Sequence, residues 1–332
     1  GQLSPLDRML LNMDPPEHTR LRAMLAPWFG VRRMKEMEGH IERLVQELLT
    51  GIKGGVEVEF IGQFALKLPL LVIAGILGVP PEDMPQMKRW TDVLISGADS
   101  GVSNEDNQKS QAECMLALTH YLKRLIATRK PGKDNLIAYL NESRKSDQSP
   151  TVDETLGLSV LLVVAGFETT VNLLGNGLLT LLLHPGQLHL LRKNPGLLNG
   201  AIDEMLRFES PLQRSTYRIT TKEFSLNGFN LGPNQQVSAV IGAANRDPDQ
   251  FPNADVFDIT RNPNPHLSFG LGIHKCLGER LARMEAGIAF RALLEKFSHI
   301  EIIDSKPDWQ QKTLFRGLNS MHICCDDKNT KV

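Results

Sequence analysis

Four cysteines stand in 332 residues, Cys114, Cys276, Cys324 and Cys325, and no two of them form a CxxC pair. That spacing argues against a disulfide framework or a zinc site, and it points to a reduced, cytoplasmic setting. Charge of one sign is also lacking: 37 Lys and Arg against 38 Asp and Glu leave a formal net charge of -1. No broad basic field exists for nucleic acid or for an anionic membrane, so neither is expected as a partner. The N-terminus carries no basic region followed by an apolar core, so no secretory leader is read there. No flavin or iron–sulfur motif is visible, so any redox chemistry would draw its electrons from another protein. Hydrophobic content of 41% and charged content of 23% are those of an ordinary globular chain.

The stretch that is present and unusual runs from Phe269 to Gly278, FGLGIHKCLG. Gly270 and Gly272 give a tight loop backbone freedom, since a residue without Cβ takes φ > 0 readily. An amphipathic helix read from Leu277 to about Phe297 brings its N-terminal amides and positive dipole end toward Cys276. Such surroundings favour the thiolate, the form that binds metal. Gly278 leaves room for a flat object. A lone thiolate so presented suits the axial position of haem iron.

Other segments read by pattern. Asp14 is a candidate N-cap, with Pro15 and Pro16 in the first turn of a helix whose His18 and Arg22, four apart, share a face. Arg32 to Leu49 is amphipathic, and Val56 to Phe60 alternates like a short strand. Gln63 to Leu77, Met84 to Ile95 and Asn107 to Thr128 read as helices, the last two joined by a Gly/Ser/Asp-rich connector. Asn141 to Pro150 is a polar loop. Val152 to Leu183 reads as one long helix of roughly 45 Å, with Thr151 and Asp153 as capping candidates and a stop at His184-Pro185. It is apolar almost all round and therefore buried. Glu168, Thr169, Thr170 and Asn172 in its middle argue against a membrane span. Gly166 and the threonines predict a bend there. Glu204 and Arg207 lie three apart on the helix Pro195 to Phe208. Short strands are expected at Arg214 to Ile219, Phe224 to Leu226, Phe229 to Leu231 and Gln236 to Ile241. Closing strands follow at Ile300 to Ile303 and Leu318 to Cys325, then a frayed DDKNTKV tail.

FGLGIHKCLG resembles the haem-ligand signature of the cytochromes P450, with Phe269, Gly272, His274, Cys276 and Gly278 where that family has them. The resemblance extends from Met13 onward with motifs in the family's order. It implies a mainly α fold with small β-sheets, a long buried central helix over haem, and one haem domain spanning residues 1–332. Cys276 would ligate iron of haem b. His18, Arg22, Arg218 and His274 would hold the haem propionates, with Ala165, Phe269, Gly270 and Gly278 against the ring. Ala165-Gly166-Phe167-Glu168-Thr169-Thr170 resembles the family's acid–alcohol pair, with Glu168 as acid and Thr169 as alcohol delivering protons. Glu204, Arg207 and Arg261 would form the family's structural cluster beneath the cysteine loop. Leu212 to Thr216 would border the substrate pocket beside Val164 and Ala165. Met84 to Thr128 would supply a mobile lid. Relatives carry a further N-terminal stretch that caps the pocket; this sequence is either a trimmed piece or a naturally short protein, and in the second case the pocket would be more open.

The implied reaction is insertion of one oxygen atom from O2 into an apolar small molecule, by hydroxylation or epoxidation. Electrons derived from NAD(P)H would arrive through a ferredoxin or flavodoxin-type donor. Lys275, Arg280 and Arg283, with Arg32, Arg33 and Lys35, are the expected basic docking patch. Two other readings stand beside this one: a peroxide-driven haem peroxygenase, and a haem-binding or scaffold protein without catalysis.

Overall fold

The computed structural model describes residues 9–99, 105–143 and 149–328. Its first helices are α1 (Glu17–Leu25), α2 (Val31–Thr50), α3 (Lys67–Leu77), α4 (Met84–Asp99), α5 (Glu105–Thr128) and α6 (Leu136–Glu142). In α2 the reason is plain: Met34, Met37, Ile41, Val45 and Leu49 recur every three or four residues and are all buried on one face. The start of α1 differs from expectation. Its N-cap is Pro16 and no side chain caps it, so Asp14 and both prolines lie ahead of the helix. Part of the α4–α5 connector and most of the polar loop after α6 lie outside the described residues.

The Val152–Leu183 run is two helices, α7 (Val152–Ala165) and α8 (Glu168–Leu183), interrupted at Gly166 and Phe167. Thr151, not Asp153, caps it: the Thr151 hydroxyl accepts from the Glu154 amide, and the Glu154 carboxylate accepts from the Thr151 amide. By length and composition the run could cross a membrane, but 72% of its apolar window is buried inside this protein. Leu158, Val160, Leu174, Leu178 and Leu181 have no exposure. It is the central core helix.

Then come α9 (Pro185–Lys193), α10 (Leu198–Phe208), the single turn α11 (Ile241–Ala244) and α12 (Glu279–Lys296), and α12 packs on α2, α8 and α10. The strands are short. β1 (Val58–Glu59) is followed by the pairs β2 (Arg218–Ile219) with β5 (Gln236–Val237), and β3 (Phe224–Leu226) with β4 (Phe229–Leu231). β6 (Phe297–Ile302) and β1 flank β9 (His322–Asp327) in antiparallel register, while β7 (Asp308–Trp309) pairs with β8 (Leu318–Ser320). Asp326 and Asp327, expected in a frayed tail, thus close β9. The strand expected over Arg214 to Ile219 contracts to β2. Upstream of it scattered bonds hold the chain without a ladder, among them the Gln213 amide to Leu314 O and the Ser215 amide to Ala239 O, each 2.8 Å, and the Gly242 amide to Gln213 O at 3.1 Å. Likewise Ile241 opens α11 and does not end a strand.

Candidate active site

Cys276 sits on the loop leading into α12. Gly270 (φ 68°) and Gly272 (φ 75°) occupy the left-handed region there, which glycine enters without strain. The loop closes through the Cys276 amide to Phe269 O at 2.8 Å and the Lys275 amide to Gly272 O at 3.1 Å. The sulfur opens onto a cavity of about 1790 Å³. That exceeds the roughly 300–1,000 Å³ of a drug-sized pocket, so a porphyrin-sized group and a second molecule fit together. A Cβ at Gly278 would meet nothing within 4 Å, so the floor beside the sulfur is clear.

One expectation about the sulfur is corrected. The Gly278 amide, Arg22 and Lys275 all lower the thiol pKa, yet burial outweighs them and the net shift is upward. Cys276 is exposed to the cavity while enclosed by protein. The helix N-terminus alone therefore does not make a thiolate; a coordinated metal cation removes the proton outright.

The break in the central helix faces the same cavity. A Cβ on Gly166 would collide with Leu162 O and the Ile73 side chain, so only glycine fits. Ala165 is exposed and Thr169 half-buried, one turn apart on this interior helix, because both line the cavity. The Thr169 hydroxyl donates to Ala165 O at 3.5 Å. Glu168 does not join them. It is 7% exposed, and its Oε1 lies 3.1 Å from Lys312 Nζ, outside the cavity lining. One residue of helix turns it about 100° from Thr169.

His18, Arg22, Arg218 and His274 converge on another wall. The His18 and His274 rings lie 4.4 Å apart between centroids. His18 is 1% exposed, and neither ring nitrogen has a hydrogen-bond partner. Burial and then Arg22 hold its pKa below the usual value. The His274 pKa is lowered by burial, then by His18, Arg218 and Arg22. A buried imidazole without partners, that of His18, beside the half-buried His274 and two guanidiniums is an anion site in want of its anion. A pair of haem carboxylates fits these residues.

Beneath the loop, Glu204 and Arg207 are fully buried and joined by two bonds, Nε to Oε2 and Nη2 to Oε1, each 2.8 Å. Arg207 also donates to Asn245 O, Ala254 O and Val256 O. Arg261 Nε reaches both Glu204 oxygens at 3.2 Å, and the Asp258 amide and Asn264 add a further bond each. The three residues expected to cluster do so. A second brace was missed. Asn245 has no exposure; its Oδ1 accepts from the Leu267 amide and its Nδ2 donates to Ser210 and Ser268. No periodicity marks it, since its partners are 22 and more residues away.

Glu285 was missed too, although a lone carboxylate in the run Met284-Glu285-Ala286-Gly287 is a visible signal. It lines the cavity, is 1% exposed, and its Oε2 has no partner. Burial pushes its pKa from 4.5 up to about 8. The folded state keeps a proton that the unfolded chain releases, so stability falls as pH rises from 4.5 through 8. His266 acts oppositely. Burial pushes its pKa from 6.5 down to about 4, so stability falls as pH drops across that window. The two slopes oppose each other between 4.5 and 6.5; above that Glu285 dominates, with His322, whose pKa its bond to Asp304 raises from 6.5, adding in the same direction. The unfolding free energy in urea should therefore fall by about 1.4 kcal/mol per pH unit or somewhat more between roughly 6.5 and 8, and Glu285→Gln should remove most of that slope. A variant retaining the full slope would place its origin elsewhere.

The expected basic patch is largely paired with carboxylates. Lys275 pairs with Glu279 at 2.7 Å, Arg283 with Glu279 at 3.3 Å and with Asp203, and Arg32 and Arg33 both with Glu36 at 3.1 Å. Among the described residues, Lys35 and Arg280 have no such carboxylate partner.

A cavity floored by one cysteine, walled by a basic cluster and roofed by a broken core helix defines a haem-thiolate oxidoreductase. Comparison with known proteins agrees. The family model for cytochrome P450 matches residues 191–320. Cytochrome P450 107B1 of Saccharopolyspora erythraea is 40% identical over 318 residues, 95% of this chain and 76% of that protein. The biotin biosynthesis cytochrome P450 of Bacillus subtilis is 41% identical over 321 residues, 96% and 80% of the two chains. The solved structure of P450BioI with hexadec-9Z-enoic acid ligated acyl carrier protein matches at TM-score 0.91 and 38% identity, covering 97% of this chain and 83% of that one. The chain belongs to the cytochrome P450 family. Its mainly helical architecture is the cytochrome P450 fold, its activity is that of a monooxygenase, and its cofactor is haem supplied with external electrons.

Proposed function

We propose that residues 1–332 form a single cytoplasmic haem domain that inserts one atom of O2 into an apolar small molecule. The observation that carries this is the opening of Cys276 and Thr169 onto one cavity, beside the buried His18 imidazole, which lacks a partner. Haem, when bound, would supply the oxygen activation. Cys276 would hold its iron, Phe269, Gly270, Gly278 and Ala165 would bound the space for the ring, and His18, Arg22, Arg218 and His274 would hold its carboxylates. Leu212 and Val164, in the last turn of α7, help keep the substrate's surroundings apolar. Thr169 holds a proton at Oγ1 on the cavity face. Glu168, tied to Lys312, is the acid that replenishes it once it swings from that partner.

The electrons come from NAD(P)H through a ferredoxin or flavodoxin-type protein. The relative that carries an acyl carrier protein loaded with a hexadecenoic acid supports an apolar, chain-like substrate here. Reconstitution with a ferredoxin or flavodoxin and its reductase, after a reduced carbon-monoxide difference spectrum, tests the reading. Thr169→Ala and Glu168→Gln should lower product formation roughly 10²-fold, release hydrogen peroxide in its place and leave the haem spectrum intact. Full product yield from both variants would remove the proton-delivery role. Failure with every donor tried would remove the electron route.

A further inference from the structure

Arg214 lines the cavity outside the group assigned to the haem carboxylates and is half-buried. Its Nη2 donates to Thr313 Oγ1 at 2.6 Å. A guanidinium has five N–H donors in a rigid fork, so most of them are unspent. Among the described residues no carboxylate lies within ion-pair distance of it. Those on neighbouring segments are taken, Glu168 by Lys312 and Glu209 by Arg316.

Its position separates it from the propionate cluster. Pro211, Leu212, Arg214, Ser215, Thr216 and Arg218 all line the cavity, with a bend in the chain at Arg214, while Gln213 donates to Ser210 O. The two arginines make separate bonds, Arg214 to Thr313 and Arg218 to Thr216 and Tyr217 O. The His274 imidazole feels Arg218, Arg22 and His18, and Arg214 stands outside that group. Beside Arg214, Leu212 and its bridge partner Phe315, with Leu314 bonded to the Gln213 amide, present apolar side chains to the same cavity.

We propose that Arg214 anchors a carboxylate on an otherwise apolar substrate, fixing which carbon lies over the Cys276 loop. This rests on the monooxygenase reading above. An unpaired guanidinium in an apolar cavity gains a charge-assisted, two-pronged bond when a carboxylate arrives. A phosphate offers the same oxygens but brings a second charge, for which this wall holds no second cation. Lys123 and His120 also line the cavity, but both are exposed on α5. They are the competing anchors.

The test uses ω-(imidazol-1-yl)alkanoic acids of graded length, their methyl esters and their phosphonate counterparts. The imidazole ligates haem iron, so every probe binds through a known end and reports by its Soret shift. At one chain length the acid should bind the holoenzyme about tenfold or more tighter than its ester. Arg214→Gln and Arg214→Leu should bring acid and ester to near equality, Arg214→Lys should keep part of the preference, and Lys123→Gln should keep all of it. Equal binding of acid and ester at every length, or a preference that survives Arg214→Gln or vanishes in Lys123→Gln, overturns the proposal. A phosphonate that outbinds the acid overturns the choice of carboxylate. Absence of any shift with a plain N-alkylimidazole condemns the haem reading instead.

Discussion

Cys276→Ala should abolish the thiolate-ligated spectrum and all monooxygenase turnover while leaving a folded protein. The sulfur is the one atom of the loop whose loss the backbone does not notice. The loop is held by the Cys276 amide to Phe269 O, by glycines at positive φ and by Asn245, and alanine keeps all of these. His18, Arg22, Arg218 and His274 also remain, so the basic wall can still receive haem carboxylates. The expected variant therefore binds haem weakly or in altered form, lacks the thiolate-type reduced carbon-monoxide band, and makes no product. Replacing Cys114 or Cys325 serves as the control, since Cys114 is half-buried and Cys325 lies buried in β9, both apart from the cavity lining. An unchanged spectrum in Cys276→Ala would overturn the site as described.

Arg207→Leu should be the most destabilising substitution in the chain, and Glu204→Leu should approach it. Both side chains have no exposure, and the pair holds the segment that carries Ala254, Val256 and Asp258 beneath the cysteine loop. Removing the guanidinium leaves a buried carboxylate with only Arg261, Asn264 and one backbone amide. Breaking such a pair costs about 3–5 kcal/mol, against a total stability of roughly 5–15 kcal/mol. Arg207→Lys should fare little better, because a point charge cannot serve two carboxylate oxygens and three carbonyls at once. Arg261→Ala should cost less, since two of its backbone bonds, to Pro252 O and Asn253 O, lie at the exposed edge. Soluble yield, haem content and urea midpoints measure the order. An Arg207→Leu protein with the wild-type midpoint would show that this cluster supports nothing.

The chemistry of the site was legible because it is written locally. FGLGIHKCLG, the Glu204/Arg207 spacing and the Gly166 interruption each depend on residues within a few positions of one another, and backbone geometry turns such spacings into faces and turns. The long helices were legible for the same reason, as in the buried stripe of α2. The small sheets were less so. Strands of two residues such as β2 and β5 carry no pattern of their own and exist only where a partner meets them.

By itself, then, the sequence determined the cysteine loop, the apolar central run, the basic residues that line the cavity and the family they resemble. Only the tertiary structure decided which way the polar groups between them point. Glu168 looks to Lys312, 144 residues away, and not into the cavity with Thr169. Burial overrides the helix end at Cys276, strips Glu285 of partners and leaves Arg214 without an anion. These outcomes depend on desolvation and on contacts between distant segments, which a one-dimensional spacing does not encode.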